Sequence, residues 1–189
     1  YVPGATPAKW ARVWQQRHRG VPLELVAVAA ADAERAVTAG EVDAAIMRPP
    51  VDRDVLHAIP LYSEGPVVVV SRDHVLAALE PEEQIALSDL ADEVLLQPAD
   101  DVLPWAGRPG AASDAVGVPG LAPHETPETT ADAVALVAAG IGVLVLPQSL
   151  ARLHHRKDVT ARPLAAGPHA PVALVWAIDR EDERTEDLI

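Results

Sequence analysis

Short apolar runs and amphipathic stretches alternate along the chain, and their periods assign the elements. Trp10, Val13 and Trp14 share one face of a helix expected from Thr6-Pro7 to about His18, where a hydroxyl N-cap precedes Pro at the first helical position. Gly20 stops that helix, and residues 21–28 follow as a strand. A second helix runs from Asp32 to Ala39-Gly40, and a buried strand over 42–47 closes at Pro49-Pro50. Strands are expected over 56–61, 66–70, 93–96, 143–146, 159–164 and 172–178. Ser88-Asp89-Leu90 opens a short helix, 148–154 forms another, and a further helix starts within 126–130. Residues 97–120, rich in Gly and Pro, read as a surface loop or short helix.

One unit occurs twice. Helix, Ala-Gly, buried strand and Pro succeed one another from Asp32 to Pro49 and again from Asp132 to Pro147. Repetition about 100 residues apart suggests two α/β lobes of similar build. The apolar strands 67–70 and 172–178 are the expected crossings between them, which makes a hinge with a cleft.

Composition narrows the chemistry. The 189 residues are 49% hydrophobic and 23% charged, as in globular domains. No apolar run reaches the ~20 residues of a membrane helix, and no basic-then-apolar leader opens the chain, so a cytoplasmic, membrane-free protein is expected. Cysteine is absent, which excludes disulfides and thiolate sites. A net charge of −13 repels nucleic-acid backbones. Part of that charge lies in the acidic stretch 179–187, read as a solvated helix face. The eighteen prolines punctuate the periodic segments instead of forming a linker.

Motifs of enzymes are missing: no GxSxG elbow, no Walker A loop, no HExxH. Gly140 and Gly142 form a GxG that follows a helix, where a dinucleotide site requires a preceding strand. His124-Glu125 reads as a loop before a helix. His154-His155 lacks metal-ligand spacing. No catalytic residue, metal or cofactor is therefore expected. Helix starts and strand ends are more informative, because ligands of open α/β sheets sit beyond the strands' carboxyl ends. Thr6 is there as hydroxyl donor or plain N-cap. Arg48, at a strand end, suits a carboxylate or a surface salt bridge to Asp52 or Asp54.

The runs "AGEVDAAIMRPPV", "LYSEGPVVVVSRDHVLA", Ser88-Asp89-Leu90-Ala91 and above all "ALVAAGIGVLVLPQSLARL" occur in an order that resembles the effector-binding domain of LysR-type transcriptional regulators. The resemblance covers nearly the whole chain. It implies a two-lobed α/β fold of the type 2 periplasmic-binding-protein kind, with two crossover strands and an interlobe cleft. Lobe I is expected over 1–67 plus 174–189 and lobe II over 68–173. A winged helix-turn-helix is implied N-terminal to these residues, so that "YVPG" and "EDLI" read as the limits of a fragment and DNA is reached only through that further domain. The resemblance places effector contacts at Ala5, Thr6 and Pro7, at Ala29, Ala30 and Ala31, at Arg48, and near Gln97, Pro98, His124 and Thr126. Ala29-Ala30-Ala31 stands where many members carry a hydroxyl, which turns the expectation from a tightly held carboxylate toward an apolar or aromatic effector packing on Trp105. The family also pairs side by side and head to tail, so a homodimer is expected through the first helix and the helix over 129–139, with Ala133, Ala135 and Ala138 allowing close approach. The alternative reading is a solute-binding protein of a transporter.

Overall fold

The computed structural model describes residues 1–180. In chain order the elements are α1 Ala8–Arg17, α2 Ala33–Thr38, β1 Ala44–Met47, β2 Leu56–Glu64, β3 Pro66–Ser71, β4 Leu95–Leu96, α3 Thr130–Ala138, β5 Val143–Pro147, α4 Gln148–Leu153, β6 Val159–Pro163 and β7 Ala170–Ala177. They form two compact units, one of Tyr1–Tyr62 with the described chain from Pro171 onward, the other of Ser63–Ala170. The chain leaves the first unit within β2 and returns to it at the start of β7. Residues 67–70, expected as a crossing, are instead an inner strand of the second unit. Among the described residues, no helix is long and apolar enough to cross a membrane. Of the acidic stretch 179–187, only Asp179 and Arg180 lie within the described residues, in a 3-10 turn.

In the first unit β7 is the middle of a three-stranded sheet, β1-β7-β2. It runs antiparallel to β1, with Ala44 opposite Trp176 and Met47 opposite Ala173. One apolar cluster joins both faces of β7 to Val2, Val37, Met47 and Leu56. The α1 helix begins one residue later than expected. Pro7 is its N-cap, and no side chain caps it, so the Thr6 hydroxyl is one position too early to reach the first free N–H groups. At its other end Trp14 stacks on His18 at 4.3 Å, and its indole N–H donates to the Val21 carbonyl at 3.0 Å. Helix α2 ends at Gly40, whose φ of +71° is the left-handed turn that favours glycine. The Arg180 guanidinium donates to the Val37 and Thr38 carbonyls there, at 3.1 and 2.9 Å.

Residues 21–28 do not form the expected strand. A strand needs a ladder beside it, and among the described residues only Tyr1 supplies one. Its N-terminal ammonium donates to the Val26 carbonyl at 2.7 Å, and its carbonyl accepts from the Val28 N–H at 3.0 Å.

The second unit carries a four-stranded sheet in the order β4-β5-β3-β6. Strand β3 is buried along its whole length and pairs antiparallel with both β5 and β6, while β4 runs parallel to β5. Alternation divides its side chains between two cores. Val68 and Val70 join Val143, Val145, Leu103 and Trp105 on one face; Val67 and Val69 join Leu144, Leu146, Val134 and Val137 of α3 on the other. Thr129 caps α3 by accepting from the Asp132 N–H at 3.1 Å. Ala133 of that helix is fully buried, so it covers its own sheet and offers no surface for close approach of a second helix.

Candidate functional site

In the first unit the expected contact residues occupy three places. Ala5 and Pro7 are buried and Thr6 is exposed at the approach to α1. Ala30 is half-buried in the 3-10 turn that leads into α2, with Ala29 and Ala31 exposed on either side. Arg48 follows the last residue of β1 directly and is half-buried ahead of the cis Pro49-Pro50 bond. It thus stands at the carboxyl end of a strand, where open α/β sheets hold their ligands.

The second unit builds a more connected arrangement. Gln97 follows β4 directly, as Arg48 follows β1. Its side-chain carbonyl accepts from one nitrogen of Arg108 at 2.8 Å, and another nitrogen of Arg108 donates to Asp101 at 2.8 Å. The other Asp101 oxygen accepts from the Leu103 N–H at 3.0 Å. The Asp101 side chain is only 5% exposed, and burial raises its carboxyl above the ordinary range; the Leu103 N–H and the Arg108 charge oppose that shift without cancelling it. The loop is tied to the approach of α3 by the Ala99 N–H on the Pro127 carbonyl at 2.9 Å and by Thr130 on Asp100 at 2.8 Å. Gln97 and the exposed Thr126 are therefore brought into one neighbourhood.

One expectation comes out differently. Trp105 is 1% exposed and belongs to the core under β3 and β5, so its ring is not a surface on which a ligand can stack. His124 is exposed on the loop before α3. Among the described residues, no group of three His, Cys, Asp or Glu side chains is placed to hold a metal. The sequence reading missed Arg108 and Asp101. The available signal was an arginine inside an irregular, Gly- and Pro-rich loop with an Asp-Asp pair upstream, since buried charges come in pairs.

The arrangement fixes one chemical property. Arginine can only donate, so Gln97 turns its carbonyl to Arg108 and its amide nitrogen away. Among the described residues nothing accepts from that amide, which leaves two N–H donors at the end of β4.

The model of the LysR substrate binding domain matches residues 7–189 of the chain. The HTH-type transcriptional regulator AlsR of Bacillus subtilis (strain 168) is 27% identical over 158 residues, covering 81% of this chain and 49% of its own length. The chain thus spans about half the length of that curated relative. Among solved structures, the BenM effector binding domain with its effector benzoate is similar with a TM-score of 0.72 at 20% identity, over 98% of this chain and 83% of that one. The oxidised form of OxyR is similar to the same degree, TM-score 0.72 at 20% identity, over 99% and 91%. These likenesses give the fold as the two-lobed type 2 periplasmic-binding-protein kind. A transport role gains nothing from them.

Proposed function

The chain belongs to the LysR substrate-binding domain family, and from that premise we propose that it senses a small-molecule effector held between its two units, as the regulatory part of a DNA-binding transcription regulator. No catalytic step, metal or cofactor is part of this reading. The observation that carries it is the Gln97 amide, oriented by Arg108 as a donor pair at a strand end. Such a pair suits a carboxylate oxygen, and Arg48 supplies the second, charged grip from the first unit. Thr6 and Thr126 add hydroxyls. Ala5, Pro7 and Ala30 supply small apolar contacts, which leaves room for a ring such as that of the benzoate named with BenM. Contact with DNA is assigned to a helix-turn-helix outside these residues, in keeping with the −13 charge.

Calorimetric titration with a panel of aromatic and aliphatic carboxylates, benzoate included, tests the reading. Arg48→Ala and Gln97→Ala are expected to weaken the best ligand by about 1.5–3 kcal/mol for Arg48 and less for the neutral amide. Unchanged affinity in both variants defeats the site, and a panel without any binder defeats the carboxylate. The same reading includes a twofold homodimer, so sedimentation of the domain should give twice its 19.9 kDa; a monomer at micromolar concentration removes that part.

A further inference from the structure

Arg108 stands between two neighbours of unequal charge. One of its nitrogens donates to the Asp101 carboxylate and another to the side-chain carbonyl of Gln97, each at 2.8 Å. Its own backbone holds it there. The Arg108 N–H donates to the carbonyl of the buried Trp105 at 2.9 Å, and the turn passes through Gly107 at a φ of +80°. Next to it, the Ala106 N–H donates to the Val116 carbonyl at 2.9 Å. The guanidinium therefore has a fixed seat, one hydrogen bond behind the amide that the effector reading uses.

A single group decides the charge at this seat. A guanidinium does not give up its proton, so Asp101 is the member of the pair that titrates. The Asp101 side chain is almost wholly buried and Arg108 only 31% exposed, so water screens the pair incompletely. The charged groups that act on Asp101 are Arg108 and Asp100. Asp100 is exposed, and its carboxylate accepts from the Thr130 hydroxyl at 2.8 Å. Burial is the larger influence and favours the neutral acid, so on acidification Asp101 takes up its proton before an ordinary aspartate does.

We propose that Asp101 sets the charge an effector meets at Gln97. Ionised, it cancels the Arg108 cation, and at this end of the site the effector meets only neutral amide donors. Protonated, it leaves that cation uncompensated behind the amide, and an anionic effector is held more tightly. Effector and proton are thus bound together, and by linkage each raises the affinity for the other. The inference rests on the reading of Gln97 as an effector contact and adds regulation to it. Asp101 touches no ligand in this scheme; it is a positioning residue that acts through Arg108. Two charges about 8 Å apart at an effective dielectric of about 20 change affinity roughly thirtyfold, and the partial exposure of Arg108 reduces this to about three- to tenfold.

Calorimetry on the 189-residue chain tests this, with benzoate and its uncharged counterpart benzamide as first probes. The other carboxylates of the panel and their amides follow. Between about pH 7.5 and 5.5 these carboxylates stay ionised, so their own protons do not enter. The expected result is a gain of about threefold or more in carboxylate affinity as pH falls through this range. Proton uptake, read from heats in buffers of different ionisation enthalpy, should accompany it, and the amides should show neither effect. Asp101→Asn should lose the pH dependence and bind carboxylates at pH 7.5 about three- to tenfold more tightly than the wild type. Weaker binding by that variant, as a merely structural role would give, overturns the proposal. Carboxylate binding without proton uptake overturns it too, and leaves the effector site standing. So does a pH dependence that persists in Asp101→Asn, since the exposed His124, two residues before Thr126, is then its source. Where Asp101→Asn does not fold, His124→Gln decides: proton uptake kept supports the proposal, and uptake lost overturns it. A panel in which no carboxylate binds removes the effector site and this proposal together.

Discussion

Strand β3 in the second unit and β1 in the first are both short, apolar and preceded by tight turns, yet their surroundings differ. β3 has a partner on each side and a separate core on each face. β1 has β7 on one side and a groove on the other, and its unit holds a single merged cluster. The contrast teaches that apolar content does not decide whether a segment becomes a strand. Residues 21–28 are as strand-like in pattern as 66–70, and only the supply of neighbouring backbone separates them.

The most severe way to break the contrast is Trp105→Ala. It empties a fully buried site under β3 and should cost about 3–5 kcal/mol in a denaturant melt. Exchange protection of β3 amides should then fall below that of β7, reversing the expected order. Next comes Arg162→Ala. Its guanidinium donates to the Leu79 and Ala77 carbonyls, both at 2.8 Å, and so ties the 3-10 turn Val75–Ala78 to β6. A loss of about 1.5–3 kcal/mol is expected, measured the same way. The counterpart in the first unit, Arg180→Ala, releases the end of α2 from a more exposed arginine, and a loss below about 1 kcal/mol is expected.

Acidification sharpens the comparison through Asp101. Its folded pKa lies above the ordinary value of 3.8, so the folded state holds the proton where the unfolded state has lost it. Stability therefore rises as pH falls through the folded pKa, and the gain is complete near the unfolded one. Asp101→Asn should flatten that part of a stability-against-pH curve, and a curve unchanged in shape refutes the assignment. The smallest effect is expected of Arg156→Ala. Its pair with Asp158 is solvent-exposed, and thermal melts should not resolve the change.

Much of the fold was legible because most elements are announced locally. The Ala-Gly-strand-Pro units became α2–β1 and α3–β5, each with its glycine at positive φ, +71° for Gly40 and +77° for Gly140. Three features were not legible, each for a non-local reason. Residues 21–28 lack a ladder, which their own pattern cannot report. The α1 cap turned on a one-residue shift between Thr6 and Pro7, the least certain part of any helix assignment. Trp105 sits in a loop without periodicity, so nothing in its neighbours tells which way it points. An irregular stretch longer than thirty residues, from β4 to α3, has to bury something to stay folded, and Leu103 and Trp105 are what it buries. Of the candidate site, the strand ends at Arg48 and Gln97 could be read from the sequence. The Arg108–Asp101 pair that orients Gln97 could not, because it is a contact across a loop.

Strand β3 also poses an alignment problem that its side chains cannot solve. Val67, Val68, Val69 and Val70 are interchangeable, and with both faces buried a slip by one position exposes nothing and costs no apolar burial. The alignment is written at the edge. Pro66 lies opposite Pro147 on one neighbour, and Val67 opposite Pro163 on the other, so three residues without an N–H mark the same end of the sheet. A slipped neighbour would carry its proline inward, to a position where the ladder needs a donor. The valines can thus drift among Val, Ile and Leu while the prolines hold their places, and the spacing of those prolines, more than the hydrophobicity between them, selects one pairing out of several of equal greasiness.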